Sequence, residues 1–409
     1  MGKLILSGTP RDYSRYSLEK NPFPYAGIPE ENPRFCADRE KELETISDTI
    51  SLSLGESSTH IALIGGYGNG KTHTLRYIKS HINSQLADDN RFRAIAGYVI
   101  TPGHSLVDTY RNFMQDLGRN FFFKLTWGFL GNIALELIRQ SKKDFKDLPS
   151  EVKDDLKKDP SGLKKYIEDG TVLLSLLMET ARDRVLSLIK NVDVANGFLQ
   201  LINDKTSLLA WKWLSGERIL YEQRRELGIV SPIDSDDRAL AVFQDIRNIM
   251  RNQGYKLVCI LIDEFELVEI LHYQQKQRFL NAIRHLVDLN PHGICLVISC
   301  TPEVWKNIVM EYHAFSERIF REIVLRPLNE KTIYHLIQEY LKHYRTNPQA
   351  KSSKIHPFTE DCIKEILQIS KGNMRRALAM CNMALDLAIK QDTESITPEI
   401  LKHVFEMPT

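Results

Sequence analysis

Residues Gly65-Gly66-Tyr67-Gly68-Asn69-Gly70-Lys71-Thr72 satisfy the pattern G-x-x-x-x-G-K-S/T in full. Such a loop works only where a strand ends and a helix begins, so it constrains the fold more tightly than any other feature of the chain. The flanks agree. Residues 60–64 read as a short strand, and Leu75 and Ile78 mark one face of a helix that follows. Glycines let successive backbone N–H groups curl around phosphates without a Cβ clash. The helix then presents its N-terminus to the anion. Lys71 is expected to reach the β- and γ-phosphates of ATP, and Thr72 to offer its hydroxyl to Mg²⁺. The nucleotide-binding set is therefore Gly65, Gly66, Tyr67, Gly68, Asn69, Gly70, Lys71, Thr72 and the adjoining His73.

The loop needs an acidic counterpart at the end of another buried strand. Leu257-Val258-Cys259-Ile260-Leu261-Ile262-Asp263-Glu264 supplies it, with two carboxylates at the C-terminal end, where ligands bind in open α/β sheets. Asp263 is expected to hold Mg²⁺, partly through water. Glu264 is placed to orient and deprotonate the attacking water in hydrolysis of ATP to ADP and phosphate. Glu266 and Glu269 read as a solvated face of the next helix.

Further strands are expected at 94–101, 256–262, 293–299 and 322–325, with a helix over 105–117. Apolar strands flanked by amphipathic helices indicate an α/β fold with a parallel sheet covered on both faces. Residues 119–235 contain no convincing strand. They read as an all-helical insertion at a sheet edge, broken at Pro149, Pro160 and Gly170, with a core of its own that takes in Trp211 and Trp213. Beyond Pro327 the pattern is helical again. The expected division is 1–45 as linker and adenine-contacting segment, 46–118 and 236–327 as the two parts of the base, 119–235 as the insertion and 328–409 as a helical lid.

The 54 basic and 53 acidic residues balance, which argues against coating nucleic acid by bulk charge. A local basic face stays open: Lys342, Arg345, Lys351 and Lys354 could form one, although a solvated lid loop is the simpler reading. Six scattered cysteines without metal-ligand spacing suit a reduced, cytoplasmic chain. No long apolar run follows Met1 to Leu6, and the most membrane-like stretch, 125–135, falls short of the ~20 residues a span needs. Neither a secretory signal nor a membrane partner is expected.

Four further places resemble the AAA+ ATPases, near their origin-recognition and transposition-regulator branch. Phe35-Cys36-Ala37-Asp38-Arg39-Glu40-Lys41-Glu42-Leu43 is similar to the F-x-G-R-E-x-E-L segment that wraps adenine there, with Ala37 for the usual Gly. Arg39 would brace the N-terminal loop or touch nucleotide. Ser299-Cys300-Thr301 closes the fourth strand where the family keeps a polar sensor 1 residue, a role open to Thr301 or Ser299. Ser316-Glu317-Arg318 precedes the fifth strand where the family places an arginine finger; Arg318 is the candidate and Arg321 the alternative. Gly372-Asn373-Met374-Arg375-Arg376-Ala377-Leu378 looks like the sensor 2 element G-D-x-R-x-A-L of the lid, with Asn373 for Asp and Arg375 favoured over Arg376 by its spacing. More narrowly, Trp213-Leu214-Ser215-Gly216-Glu217, Gly254-Tyr255 and Thr301-Pro302-Glu303 are similar to ATP-binding proteins of BREX-type phage-defence systems, which also carry a helical insertion before the acidic strand.

The resemblance implies a P-loop ATPase whose catalytic set is Lys71, Glu264, Arg318, Arg375 and Thr301, with Thr72 and Asp263 on the metal. It implies a homo-oligomer, because the finger completes a neighbour's site, and a partner effector. The chain runs only a little way past the lid, so the winged-helix DNA-binding domain of the origin-recognition branch is not expected, which puts sequence-specific duplex binding in doubt. Two outputs follow: a switch or motor acting on DNA or an effector, in anti-phage defence, or a signalling or scaffold ATPase whose insertion binds a partner protein without touching nucleic acid. The lid and finger likenesses argue against a small-molecule kinase.

Overall fold

The computed structural model describes residues 11–25, 30–54, 57–86, 93–140, 142, 145, 148–346 and 354–406. Lys351 and Met1 to Leu6 lie outside these residues.

Five strands, β1 (Ile61–Gly65), β2 (Arg93–Val99), β3 (Tyr255–Ile262), β4 (Ile294–Cys300) and β5 (Arg321–Leu325), form one sheet in the order β2-β3-β4-β1-β5. Every pairing is parallel. The expected strands are all present, with ends differing by one or two residues. Alternation along each strand feeds two separate cores. Ile61, Leu63, Leu257, Leu261 and Val297 face one way, onto Ile46 and Ile50 of α1 (Glu40–Leu52) and Leu75 and Ile78 of α2 (Lys71–Gln85). Ala62, Ile64, Val258, Ile260, Leu296 and Ile298 face the other.

That second face is covered by α3 (Leu106–Arg139), whose Phe113 lies so close to β2 that a Cβ on Gly97 would come within 2.4 Å of its ring. The helix does not stop near residue 117, as its sequence suggests. It kinks at Gly118, with φ 79°, and continues for 34 residues in all. By length and composition it could cross a membrane, yet 61% of its most apolar window is buried in the fold. After it come α4 (Ser150–Lys158), α5 (Leu163–Glu168), α6 (Ser175–Leu188), α7 (Val192–Leu199), α8 (Ser207–Leu214), α9 (Tyr221–Glu226) and α10 (Asp236–Asn252).

These helices do not build a separate core. Phe122, Phe129, Phe198, Trp211 and Trp213 belong to the same apolar cluster as the sheet residues Val258, Ile260 and Ile298. Polar contacts cross the expected boundary too: the Tyr110 hydroxyl donates to the carbonyl of Leu214 at 2.5 Å, and Arg111 Nε to that of Gly216 at 3.1 Å. The reason is geometric. The second sheet face is covered by α3 and α10, and the insertion packs on those two helices as a further layer, which joins it to the same apolar cluster.

Helices α11 (Tyr273–Asp288), α12 (Pro302–Glu311) and α13 (His313–Ser316) complete the base. The lid comprises α14 (Glu330–Tyr344), α15 (Glu360–Ser370), α16 (Met374–Lys390) and α17 (Pro398–Glu406). It has its own core, into which the N-terminal segment inserts Tyr16, Leu18 and Phe23.

Candidate functional site

A cleft of about 300 Å³ opens at the C-terminal ends of β1 and β3 and is roofed by the lid. Tyr67, Gly68, Gly70, Lys71, Thr72 and His73 line it from the loop, Asp263, Glu264 and Glu266 from the end of β3, and Met374, Arg375 and Leu378 from α16. The sequence-predicted loop and acidic pair are thus brought together with the lid arginine Arg375. Arg376 does not line the cleft.

The loop is shaped by backbone that L-residues avoid. Gly68 and Gly70 have φ of 77° and 90°, a region in which glycine meets no Cβ penalty. Asn69 N–H donates to the carbonyl of Gly66 at 3.2 Å, closing the turn. Arg39, buried, donates to the carbonyls of Asn69 and Arg326. It braces the loop from behind, one of the two roles its sequence leaves open. His73 donates through Nε2 to the carbonyl of Phe35 at 2.9 Å, and burial pushes its pKa down, so it is a neutral strut.

Asp263 is fixed by three donors. The Tyr98 hydroxyl donates to Oδ2 at 2.8 Å, the N–H of Glu264 to Oδ1 at 3.0 Å, and the Ser299 hydroxyl also to Oδ1. The strand register explains Ser299: Ile262 pairs with Ile298, so the next residues on β3 and β4 sit side by side. Thr301, the other sensor 1 candidate, is buried at the N-terminus of α12, where its side chain makes no capping hydrogen bond. Tyr98 escaped the sequence reading because it is one apolar-strand residue among several. Burial and the adjacent Asp263 carboxylate raise its pKa, so the phenol keeps its proton and remains a donor. Glu264 has φ 47°, left-handed backbone that a non-glycine residue rarely adopts, and its side chain is exposed at the mouth of the cleft.

Glu266 and Glu269 are not a solvated helix face. The chain after Glu264 forms a 3-10 turn, Phe265–Ile270, in which side chains three apart share a side. Both carboxylates turn inward to a lysine. Glu266 Oε1 lies 3.8 Å from Lys71 Nζ, and Glu269 Oε1 lies 2.7 Å from the buried Lys276. Burial raises the pKa of Glu266, with Lys71 opposing that shift. Lys71 itself donates to the carbonyl of Gly65 at 2.8 Å.

The lid grips the loop directly. Asn373 Nδ2 donates to the carbonyl of Tyr67 at 2.7 Å, and the backbone N–H of Arg375 to that of Gly68 at 3.0 Å. Phe35 stacks on His343 at 4.2 Å, edge-on to Tyr340, which lines the same cleft. Arg318 lies elsewhere, on the outer rim, where Nε donates to Asp288 Oδ1 at 3.0 Å. Arg321 is exposed at the start of β5, its guanidinium over the Phe320 ring.

These residues suit a metal-bound triphosphate. The loop is a glycine cradle in which a Cβ on Gly68 would fall 2.5 Å from Asn373, a hydroxyl and an oriented carboxylate line one cleft, and a lysine lines it with them. Among the described residues there is no cluster of three or more His, Cys, Asp or Glu that could hold a metal.

The model of a family described as BREX system ATP-binding protein BrxC/D matches residues 31–373. No curated protein matches the chain by sequence. Among solved structures it is similar to the ORC2 protein of Aeropyrum pernix in its ADPNP–ADP complexes, at 10% identity and a TM-score of 0.53, over 93% of this chain and 70% of that one. The ADP form of the same protein matches with a TM-score of 0.52 at 10% identity, over 93% and 71%. The ORC1 protein of Aeropyrum pernix in complex with DNA matches with a TM-score of 0.48 at 13% identity, over 95% and 69%.

Proposed function

The chain belongs to the family of BREX system ATP-binding proteins BrxC/D, with an AAA+ fold, and from that premise we propose that it binds and hydrolyses Mg·ATP in the cleft between loop and lid. One observation carries the reading: Lys71 and Thr72 face Asp263, held by Tyr98 and Ser299, across a single cleft closed by Arg375. Phosphoryl transfer needs positioning and charge neutralisation more than covalent chemistry. Lys71 and Arg375 supply positive charge to the phosphates. Thr72 and Asp263 would hold Mg²⁺, which would supply charge neutralisation to the phosphates, and Glu264, at the mouth of the cleft, takes the proton of the attacking water. Ser299, near the end of β4, acts through Asp263, and Thr301 follows the strand at the start of α12.

The finer reading is an oligomer in which Arg318 completes a neighbour's site, with hydrolysis coupled to assembly or switching on DNA or on a protein effector, in cytoplasmic anti-phage defence. A second reading has support of its own. Leu220, Tyr221 and Val230 are exposed on the insertion and suit a protein partner that never involves nucleic acid. Salt-dependent retention on DNA in the presence of an ATP analogue separates the two.

Lys71→Ala is expected to abolish tight Mg·ATP binding in a calorimetric titration, because the phosphates lose their point charge. Unchanged affinity would remove the phosphate-site assignment. Glu264→Gln is expected to keep binding and lose turnover, since shape survives while the base does not; a phosphate-release assay at the wild-type rate would rule Glu264 out.

A further inference from the structure

The cleft holds more negative charge than its chemistry requires. Asp263 is engaged by three donors, and Glu264 points to solvent from left-handed backbone. Glu266 does neither. Its side chain is only 14% exposed, its Oε1 sits 3.8 Å from Lys71 Nζ, and its Oε2 is buried without a hydrogen-bond partner. At 3.8 Å the pair is an ion pair without a hydrogen bond, and the second oxygen has given up water for nothing. Lys71 is the cation that the proposed function assigns to the phosphates. The carboxylate therefore stands next to the place where phosphate oxygens must go, in surroundings drier than water, where charges act on one another more strongly.

We propose that Glu266 sets nucleotide affinity by competing with the phosphates for Lys71. In the nucleotide-free protein it is the counter-ion of Lys71. When a nucleotide binds, Lys71 exchanges this carboxylate for phosphate oxygens, and Glu266 is left facing an anion. Both effects oppose binding, and both favour departure of the product. The cleft is thus tuned for exchange and away from tight storage of nucleotide. This rests on the proposed nucleotide site but makes a claim which that site does not require.

The test is calorimetric titration of Mg·ATP and of Mg·ADP into the full chain. Glu266→Gln keeps the shape and removes the charge, and it should bind both nucleotides roughly tenfold tighter. Glu266→Asp draws the charge back from Lys71 and should give a smaller tightening; it decides the matter if the glutamine variant does not fold. Glu269→Gln is the control: it belongs to the same turn but pairs with Lys276, and it should leave affinity unchanged. Steady-state kinetics add a second readout, a lower KM in Glu266→Gln without a matching loss of kcat. Affinity that is unchanged or weaker in the folded Glu266 variants overturns the inference while leaving the nucleotide site standing. A wild-type chain that binds no Mg·ATP removes the site itself.

Discussion

At position 373 the difference between an amide and a carboxylate is one donor. Asn373 uses both ends of its side chain: Oδ1 accepts from the N–H of Arg376 and caps α16, while Nδ2 donates to the carbonyl of Tyr67. Gly68 lies against it so closely that a Cβ there would fall 2.5 Å from Oδ1. The aspartate expected at this position from the AAA+ likeness would keep the cap but turn an acceptor toward the Tyr67 carbonyl. Asn373→Asp is therefore expected to lower stability by about 1–2 kcal/mol in denaturant unfolding and to loosen the lid from the loop. Unchanged unfolding would mean that the clasp contributes nothing. The substitution was visible in the sequence, but its purpose was not, because the partner carbonyl lies 306 residues away. Lys71, Thr72, Asp263 and Glu264 were legible for the opposite reason: each belongs to a short contiguous pattern whose chemistry dictates its spacing. Glu266 was misread because a helical period was assumed where the backbone forms a 3-10 turn.

Strand β1 carries the loop, and its foundation is a histidine. His60 precedes β1, is buried, and accepts the N–H of Leu296 through Nδ1 at 3.1 Å, tying the entry of β1 to β4. Accepting requires the neutral ring, and burial pushes the pKa from 6.5 down to about 4. The sign follows from linkage: the folded state disfavours the proton that the unfolded state takes up. The stabilisation is complete above pH 6.5 and is lost as pH falls from 6.5 toward 4, a loss of about 3 kcal/mol at its end. His60→Gln, which keeps a neutral acceptor, is expected to flatten that part of the stability curve. A variant whose curve still falls as steeply as the wild type would place the titration elsewhere. The strands were legible here, since apolar runs such as 257–262 have few other uses, but their order in the sheet was not. The course of α3 was not. Gly118 reads as a stop, yet the helix kinks there and resumes, because Phe122, Phe129 and Ile133 beyond it still find the common core.

Base and insertion share one apolar cluster, so excision of 119–235 would remove the second half of α3 and uncover the outer face of α10. Sequence periodicity showed that the insertion is helical but could not show this, since periodicity marks an apolar face and not its partner. Outside that cluster the chain presents an outer rim. Arg318 sits there, about a third exposed and paired with Asp288, whose carboxylate it holds below its ordinary pKa. In its own chain it does not line the cleft. A guanidinium on the surface, held by the carboxylates of Asp288 and Glu317, can serve a second copy if that copy presents its γ-phosphate to this rim. An arginine supplied in this way is worth ~10³–10⁵ in rate in phosphoryl-transfer systems. Arg318→Ala is expected to bind Mg·ATP like the wild type and to hydrolyse it poorly. Mixing it with Lys71→Ala chains should restore part of the activity, because an intact Lys71 cleft can then be completed by an intact Arg318 from the other chain. An arginine acting within its own chain cannot be rescued in this way, so the mixture decides what neither variant decides alone. If mixed oligomers form without recovery, or if Arg318→Ala is fully active, the shared site fails. Arg321, three residues further on at the start of β5 and without a carboxylate among the described ion pairs, is then the next arginine to exchange.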